Sequence, residues 1–107
     1  MSGEPRHRPP EYHLDGSSVT GERDLYAALG RALRAPDGYY GRNLDALADC
    51  LRGGYGPEPP FTLVWHHAAA ARRVLGRRLE RAGGGERDYF TAVVEVLREA
   101  GVTVRLE

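Results

Sequence analysis

The chain has 107 residues, the size of a single domain with a modest core. Fifteen basic side chains, all of them arginine, balance fifteen acidic ones, so no global field marks the protein for nucleic acid or an anionic membrane. The lone Cys50 excludes an internal disulfide, no apolar run approaches the ~20 residues of a membrane span, and the N-terminus lacks the apolar heart of a signal peptide, which together predict a cytoplasmic protein.

Residues Met1 to Pro10 hold three prolines, two arginines and almost nothing apolar, and are predicted to form a disordered tail ahead of one domain over 11–107. Tyr12-His13-Leu14 alternates briefly before Asp15-Gly16, the pattern of a short strand ending in a turn. Thr20 can cap a following helix whose first turn is acidic, and Leu25, Ala28, Leu29, Ala32 and Leu33 recur at helical spacing until Pro36-Asp37-Gly38. A helix directly after a strand is half of a βα unit, so the next strand should run parallel to the first.

The stretch from Asp37 to Gly54 is the most informative. Asn43 can cap a short helix in which Leu44, Leu47, Ala48 and Leu51 share one arc while Asp45, Asp49 and Arg52 cluster opposite. The helix dipole accounts for Asp45 in the first turn, but Asp49 lies a turn higher, where a second acid costs a few tenths of a kcal/mol that Arg52 at i,i+3 can relieve. By spacing, this is either a solvated face with an intrahelical ion pair or a binding face. Cys50 falls on the inner side as a core thiol. Of Tyr39 and Tyr40, adjacent in sequence, one is expected in the core.

Gly53 to Pro60 is a loop dense in breakers, with Tyr55 as its only large side chain. Phe61-Thr62-Leu63-Val64-Trp65 is nearly continuously apolar, which predicts a strand covered on both faces. From Ala68 to Ala82 an alanine- and arginine-rich segment reads as one amphipathic helix, with Ala71, Val74, Leu75 and Leu79 inside and Arg72, Arg73, Arg77 and Arg81 mostly outside. Its arginines suit either contact with phosphates or a solvated face, and no aromatics interleave them. Gly83-Gly84-Gly85 breaks it. A further helix runs from about Arg87 to Ala100, started by Asp88 or a nearby acid, and Val102 to Leu106 alternates as a closing strand. Three strands and four helices in the order βααβααβ predict an α/β fold with a small three-stranded parallel sheet.

Catalytic signals are thin. His66 and His67, adjacent at the end of a strand, point to opposite sides and do not chelate one metal. Neither glycine-rich run is a phosphate loop, since neither is followed by the Lys and Ser/Thr that such a loop requires. Asp45 and Asp49 lie on a helix surface without the desolvation that separates two carboxylates into an acid and a base. No enzyme activity, cofactor or metal is predicted.

The run Tyr39-Tyr40-Gly41-Arg42-Asn43-Leu44-Asp45-Ala46-Leu47-Ala48-Asp49-Cys50-Leu51 resembles, nearly position for position, the Tyr-Tyr-Gly-x-Asn-Leu-Asp-Ala-Leu-x-Asp-Cys-Leu segment of the barstar family, intracellular inhibitors of the secreted ribonuclease barnase. The order and length of the remaining elements also agree with that family's fold. The resemblance implies a protein that binds a secreted microbial, guanyl-preferring ribonuclease as a monomer in a 1:1 complex, without touching nucleic acid or membrane. A ribonuclease active site gathers cations around phosphate, so a plug for it should present fixed anions flanked by aromatics. On that reading Asp49 enters the cation cluster and Asp45 pairs with a second basic group. Tyr39, Asn43, Leu44 and Ala48 supply contact, Gly41, Gly53, Gly54 and Tyr55 frame the rim, and Glu95 on the last helix, or Glu99 one turn on, completes the face. Ala48 and Gly54 depart from the family's namesake, which has tryptophans there, and this predicts a smaller apolar contact. Two alternatives remain at this point: a nucleic-acid-binding module built on the Arg72–Arg81 helix, and a barstar-fold immunity protein for a toxin that is not a nuclease.

Overall fold

Strand β1 (Glu11–Asp15) alternates between faces, with Leu14 buried, Tyr12 half-buried, and Glu11, His13 and Asp15 turned to solvent. The computed structural model describes residues 9–82 and 85–107, leaving aside the side chains of residues 80–82 and 85. Eight of the ten residues expected to form a disordered tail lie outside the described residues.

After β1 the Asp15 carboxylate caps a short 3-10 turn, accepting from the Ser17 amide at 2.9 Å and its hydroxyl at 2.6 Å. Helix α1 (Glu22–Ala32) buries Leu25, Tyr26, Ala28 and Leu29. Its cap residue is Gly21, not Thr20. The Thr20 hydroxyl and amide both donate to Asp24, and these bonds hold that carboxyl below its ordinary range. Helix α2 (Leu44–Leu51) follows, then β2 (Phe61–His66), α3 (Ala68–Leu75), the hairpin strands β3 (Leu79–Ala82) and β4 (Gly85–Asp88), α4 (Tyr89–Glu99) and β5 (Val102–Leu106).

The main sheet has the order β1-β2-β5 with both neighbours parallel, so β2 is central. Its register sets Tyr12 beside Leu63, Leu14 beside Trp65, and Leu63 beside Val104, one apolar layer facing the helices. Leu14, Phe61, Leu63, Trp65, Val102 and Val104 belong to one core cluster with Leu25 and Leu29 of α1, Leu47 and Leu51 of α2, and Phe90, Val93 and Leu97 of α4. The four helices and three parallel strands are those read from the sequence. Among the described residues no helix is long and apolar enough to cross a membrane.

Strand β2 is covered on both faces as expected, though with helices on one only, and one further expectation changes. Val64 is fully buried, yet it lies outside the core cluster, on the sheet face away from the helices, between its register partners His13 and Arg105. The second face of β2 is therefore covered by long polar side chains rather than by helices. The helix predicted over Ala68–Ala82 stops at Leu75 with Gly76 as its cap, and the chain turns into a β-hairpin instead. Gly76 interrupts the helical pattern, and the Arg78 carbonyl, freed from a helix, accepts from the Tyr89 amide at 2.9 Å.

Candidate partner-binding face

The acidic helix is locked at its start. The Asn43 side chain accepts from the Ala46 amide at 2.8 Å, satisfying one of the donors that a helix N-terminus leaves bare. Leu47, Cys50 and Leu51 are buried against the core, and α2 packs on α4. Asp45 and Asp49 point outward and are exposed, as the helical wheel requires. Leu44 and Ala48 are half-buried along the border of that face. Burial pushes the Cys50 thiol up, with the Asp49 charge adding to it, so this cysteine rests as a protonated core residue.

The loop entering α2 is held by two contacts that need glycine. A Cβ on Gly30 of α1 would drive into the carbonyl of Gly38, so the missing side chain lets this loop lie against the helix. Gly41 is buried with φ +104°, in the left-handed region, and its ideal Cβ would meet the Leu47 amide nitrogen at 2.9 Å. Between them the tyrosine pair divides. Tyr40 is fully buried and donates its hydroxyl proton to the Pro57 carbonyl at 2.9 Å, and burial pushes its pKa up to about 12. Tyr39 is 41% exposed.

Tyr40 thus ties the loop before α2 to the loop after it. The consequence appears on the surface, where the Tyr39 and Tyr55 rings meet with centroids 5.9 Å apart. Gly53 is half-buried and Gly54 exposed beside them. A cleft of about 700 Å³, bordered by Tyr26, Asp37, Tyr39, Gly41 and Arg42, gives this flank a concave edge.

The acids are not equally free. Arg52 Nη1 lies 2.7 Å from Asp49 Oδ1, so the intrahelical ion pair forms, with both side chains mostly in solvent. Asp45 has no such pair among the described residues. Glu95 is half-buried on α4, where Arg87 Nε reaches its two oxygens at 2.7 and 2.8 Å, while Glu99 one turn on is exposed. Arg87 comes from β4, an element the sequence reading did not anticipate. A glycine pair in the sequence between two short charged segments, Leu79-Glu80-Arg81-Ala82 and Gly85-Glu86-Arg87-Asp88, is the signal that would have found it.

The arginines once assigned to one helix are dispersed. Arg72 stacks over Phe90 at 5.3 Å, Arg78 lies over Tyr89 at 5.0 Å and pairs with Glu22, and Arg77 follows the helix end.

The fold and this face define a small α/β protein that holds an acidic helix and two tyrosines to solvent on a rigid base. The family model described as Barstar (barnase inhibitor) matches residues 10–107, and the chain belongs to the barstar family. It is also 37% identical over 87 residues to a Bacillus subtilis (strain 168) protein named "Putative ribonuclease inhibitor YrdF", a match covering 81% of this chain and 80% of that one. The family's role is that of a barnase inhibitor, so a ribonuclease is the class of partner it implies.

Proposed function

We propose that this protein is a cytoplasmic inhibitor of a secreted, guanyl-preferring microbial ribonuclease, which it blocks as a 1:1 complex by seating the α2 face in the active site. Asp49 stands in for substrate phosphate among the enzyme's cations and Asp45 pairs with a second one. Tyr39, Leu44, Ala48 and Tyr55 exclude water around them, Asn43 holds the helix start, and Gly41, Gly53 and Gly54 keep the rim low enough for close approach. Glu95, already held by Arg87, extends the acidic surface from α4.

The observation that supports this reading best is the outward, preorganised position of Asp45 and Asp49 on a helix capped by Asn43 and flanked by the Tyr39–Tyr55 contact. Rigid acids lose little entropy on docking, which favours affinity without a large apolar area. Across Asp37–Glu58 four acids face two arginines, so the local field is negative although the whole chain is neutral. The nucleic-acid alternative has lost its platform, because no single helix carries Arg72 through Arg81. The test is RNA cleavage by a panel of microbial ribonucleases, with and without the protein. Inhibition of at least one enzyme, lost in Asp49→Ala and kept in Arg77→Ala, is the expected result. RNA binding that persists in Asp49→Ala, with no enzyme inhibited, would refute it.

A further inference from the structure

On the sheet face away from the helices, five side chains from three strands and the C-terminus close into a ring. Glu11 Oε1 lies 3.2 Å from His13 Nε2, His13 Nδ1 lies 2.8 Å from His66 Nε2, and His66 Nδ1 lies 3.9 Å from Glu107 Oε1. Arg105 closes the circuit, at 2.7 Å from Glu107 and 3.3 Å from Glu11. Asp15, beside His66 in register, faces the same side but is engaged by Ser17. None of this belongs to the α2 face, and ribonuclease inhibition gives it no task.

The two imidazoles are the unusual part. Their planes are inclined by 14° and their centroids are 5.1 Å apart, so with a 2.8 Å nitrogen contact they meet edge to edge and nearly in one plane. The two ring nitrogens are thus aimed at each other, and a neutral pair holds one shared hydrogen-bonding proton between them. The far nitrogen of His13 meets Glu11 at 3.2 Å and that of His66 stands 3.9 Å from Glu107, so a metal-bound pair would carry its protons at His13 Nε2 and His66 Nδ1, on the carboxylate sides. On metal entry the shared proton moves through solvent to the outer nitrogen of its own ring, and both facing nitrogens then offer lone pairs to the ion. A carboxylate bonded to the outer nitrogen, as Glu11 stands to His13, is also the arrangement that orients a metal-ligating imidazole. With neutral histidines the ring has two carboxylates against Arg105, a net negative setting.

We propose that His13 and His66 form a two-histidine site for a borderline divalent transition-metal ion such as Zn²⁺, bridging β1 and β2. A tetrahedral zinc at about 2.0–2.1 Å from each nitrogen requires the pair to open by about half an ångström and each ring to tilt off the head-on line, which partly exposed side chains on an open sheet face can accommodate. No third His, Cys, Asp or Glu converges on the pair among the described residues, so water completes the shell and the affinity is that of an adaptable surface site.

The test is calorimetric titration of the full chain with ZnCl₂ at pH 7.5 in a non-chelating buffer. One site per chain is expected, weakened at least about tenfold in His13→Gln and in His66→Gln and unchanged in His7→Gln and His67→Gln. In the unsubstituted protein, the imidazole resonances of His13 and His66 should move together on zinc addition while those of His67 stay. Zinc binding that survives either substitution at the pair, or that follows His7 or His67, overturns the site. So do imidazole resonances at His13 and His66 that do not respond. The outcome is independent of ribonuclease inhibition, whose acidic residues these substitutions leave untouched.

Discussion

Replacing Asp49 by alanine separates binding from folding more cleanly than any other change on the α2 face. In the free protein its carboxylate is paired with Arg52 at 2.7 Å, but the two side chains are 66% and 78% exposed, so the pair is worth about 0.3–0.5 kcal/mol. Alanine returns a similar amount through helix propensity. The expected change in unfolding free energy is therefore within about 0.5 kcal/mol, a shift in Tm of less than about 4 °C. In a complex, the same carboxylate buried among cations leaves them uncompensated when removed, a loss of about 3–5 kcal/mol, or about 10²–10⁴-fold in affinity. Arg52→Ala should do the opposite on the proposed binding mode, releasing Asp49 and removing a cation from the docking face, with a gain of about twofold limited by the small strength of the pair. Inhibition titrations of RNA cleavage beside urea unfolding curves measure both quantities. Inhibition by Asp49→Ala within about threefold of the unsubstituted protein would refute the reasoning. Equal damage from Arg52→Ala would mean that the ion pair, and not the acid, is what the partner reads.

Four further outcomes test how the face is held. Tyr40→Phe leaves the half-buried Pro57 carbonyl without its donor and should cost about 1 kcal/mol in denaturant unfolding. Because the folded Tyr40 pKa is raised from 10.0 to about 12, the unfolded chain ionises first as pH rises. The resulting stability is present below pH 10 and lost between pH 10 and 12, on the order of 2–3 kcal/mol, and the Tyr40→Phe curve should lack that contribution. Gly41→Ala must adopt φ +104° and push against Leu47, so a loss of about 2 kcal/mol or more, together with weakened inhibition, is expected by the same assays. Asn43→Ala removes the α2 cap and should lower stability by about 1 kcal/mol, with Arg77→Ala unchanged beside it. Stopped-flow association should slow as salt rises from about 0.01 to 0.15 M, where the Debye length falls from about 30 to 8 Å, with dissociation changing less.

What was legible in the sequence follows from which signals are local. The cap at Asn43, the buried arc Leu47–Leu51 and the outward acids depend on spacing within one helix, and the structure has them as spacing requires. Asp88 as a helix start is equally local, its carboxylate accepting from the Thr91 amide at 2.7 Å. The β3–β4 hairpin was missed because Leu79-Glu80-Arg81-Ala82 consists of strong helix formers, and pairing with the segment that follows directly overrides that preference. The division of Tyr39 from Tyr40 is decided by the Pro57 carbonyl seventeen residues away, which no periodicity encodes. The ring of Glu11, His13, His66, Arg105 and Glu107 was invisible for the same reason. Its members are adjacent only once the parallel register aligns three strands.

The departures at Ala48 and Gly54 and the neutral overall charge bear on how such a face can work. With small residues where the family's namesake has tryptophans, little apolar area surrounds the acids, so hydrophobic burial at about 25 cal/mol per Å² contributes less and the fixed charges contribute more. Fixed charges discriminate well only when their positions are fixed before docking, because a mobile carboxylate spends side-chain entropy on each contact. Here rigidity is supplied from beneath. Tyr40 joins the two flanking loops, Gly30 lets the first of them lie on α1, and Asn43 starts the helix that holds both aspartates. None of these three is acidic, and Tyr40 and Gly30 are buried. Loosening that support should therefore weaken inhibition while every charge on the face remains, which separates a preorganised anionic surface from one that attracts its partner by charge alone.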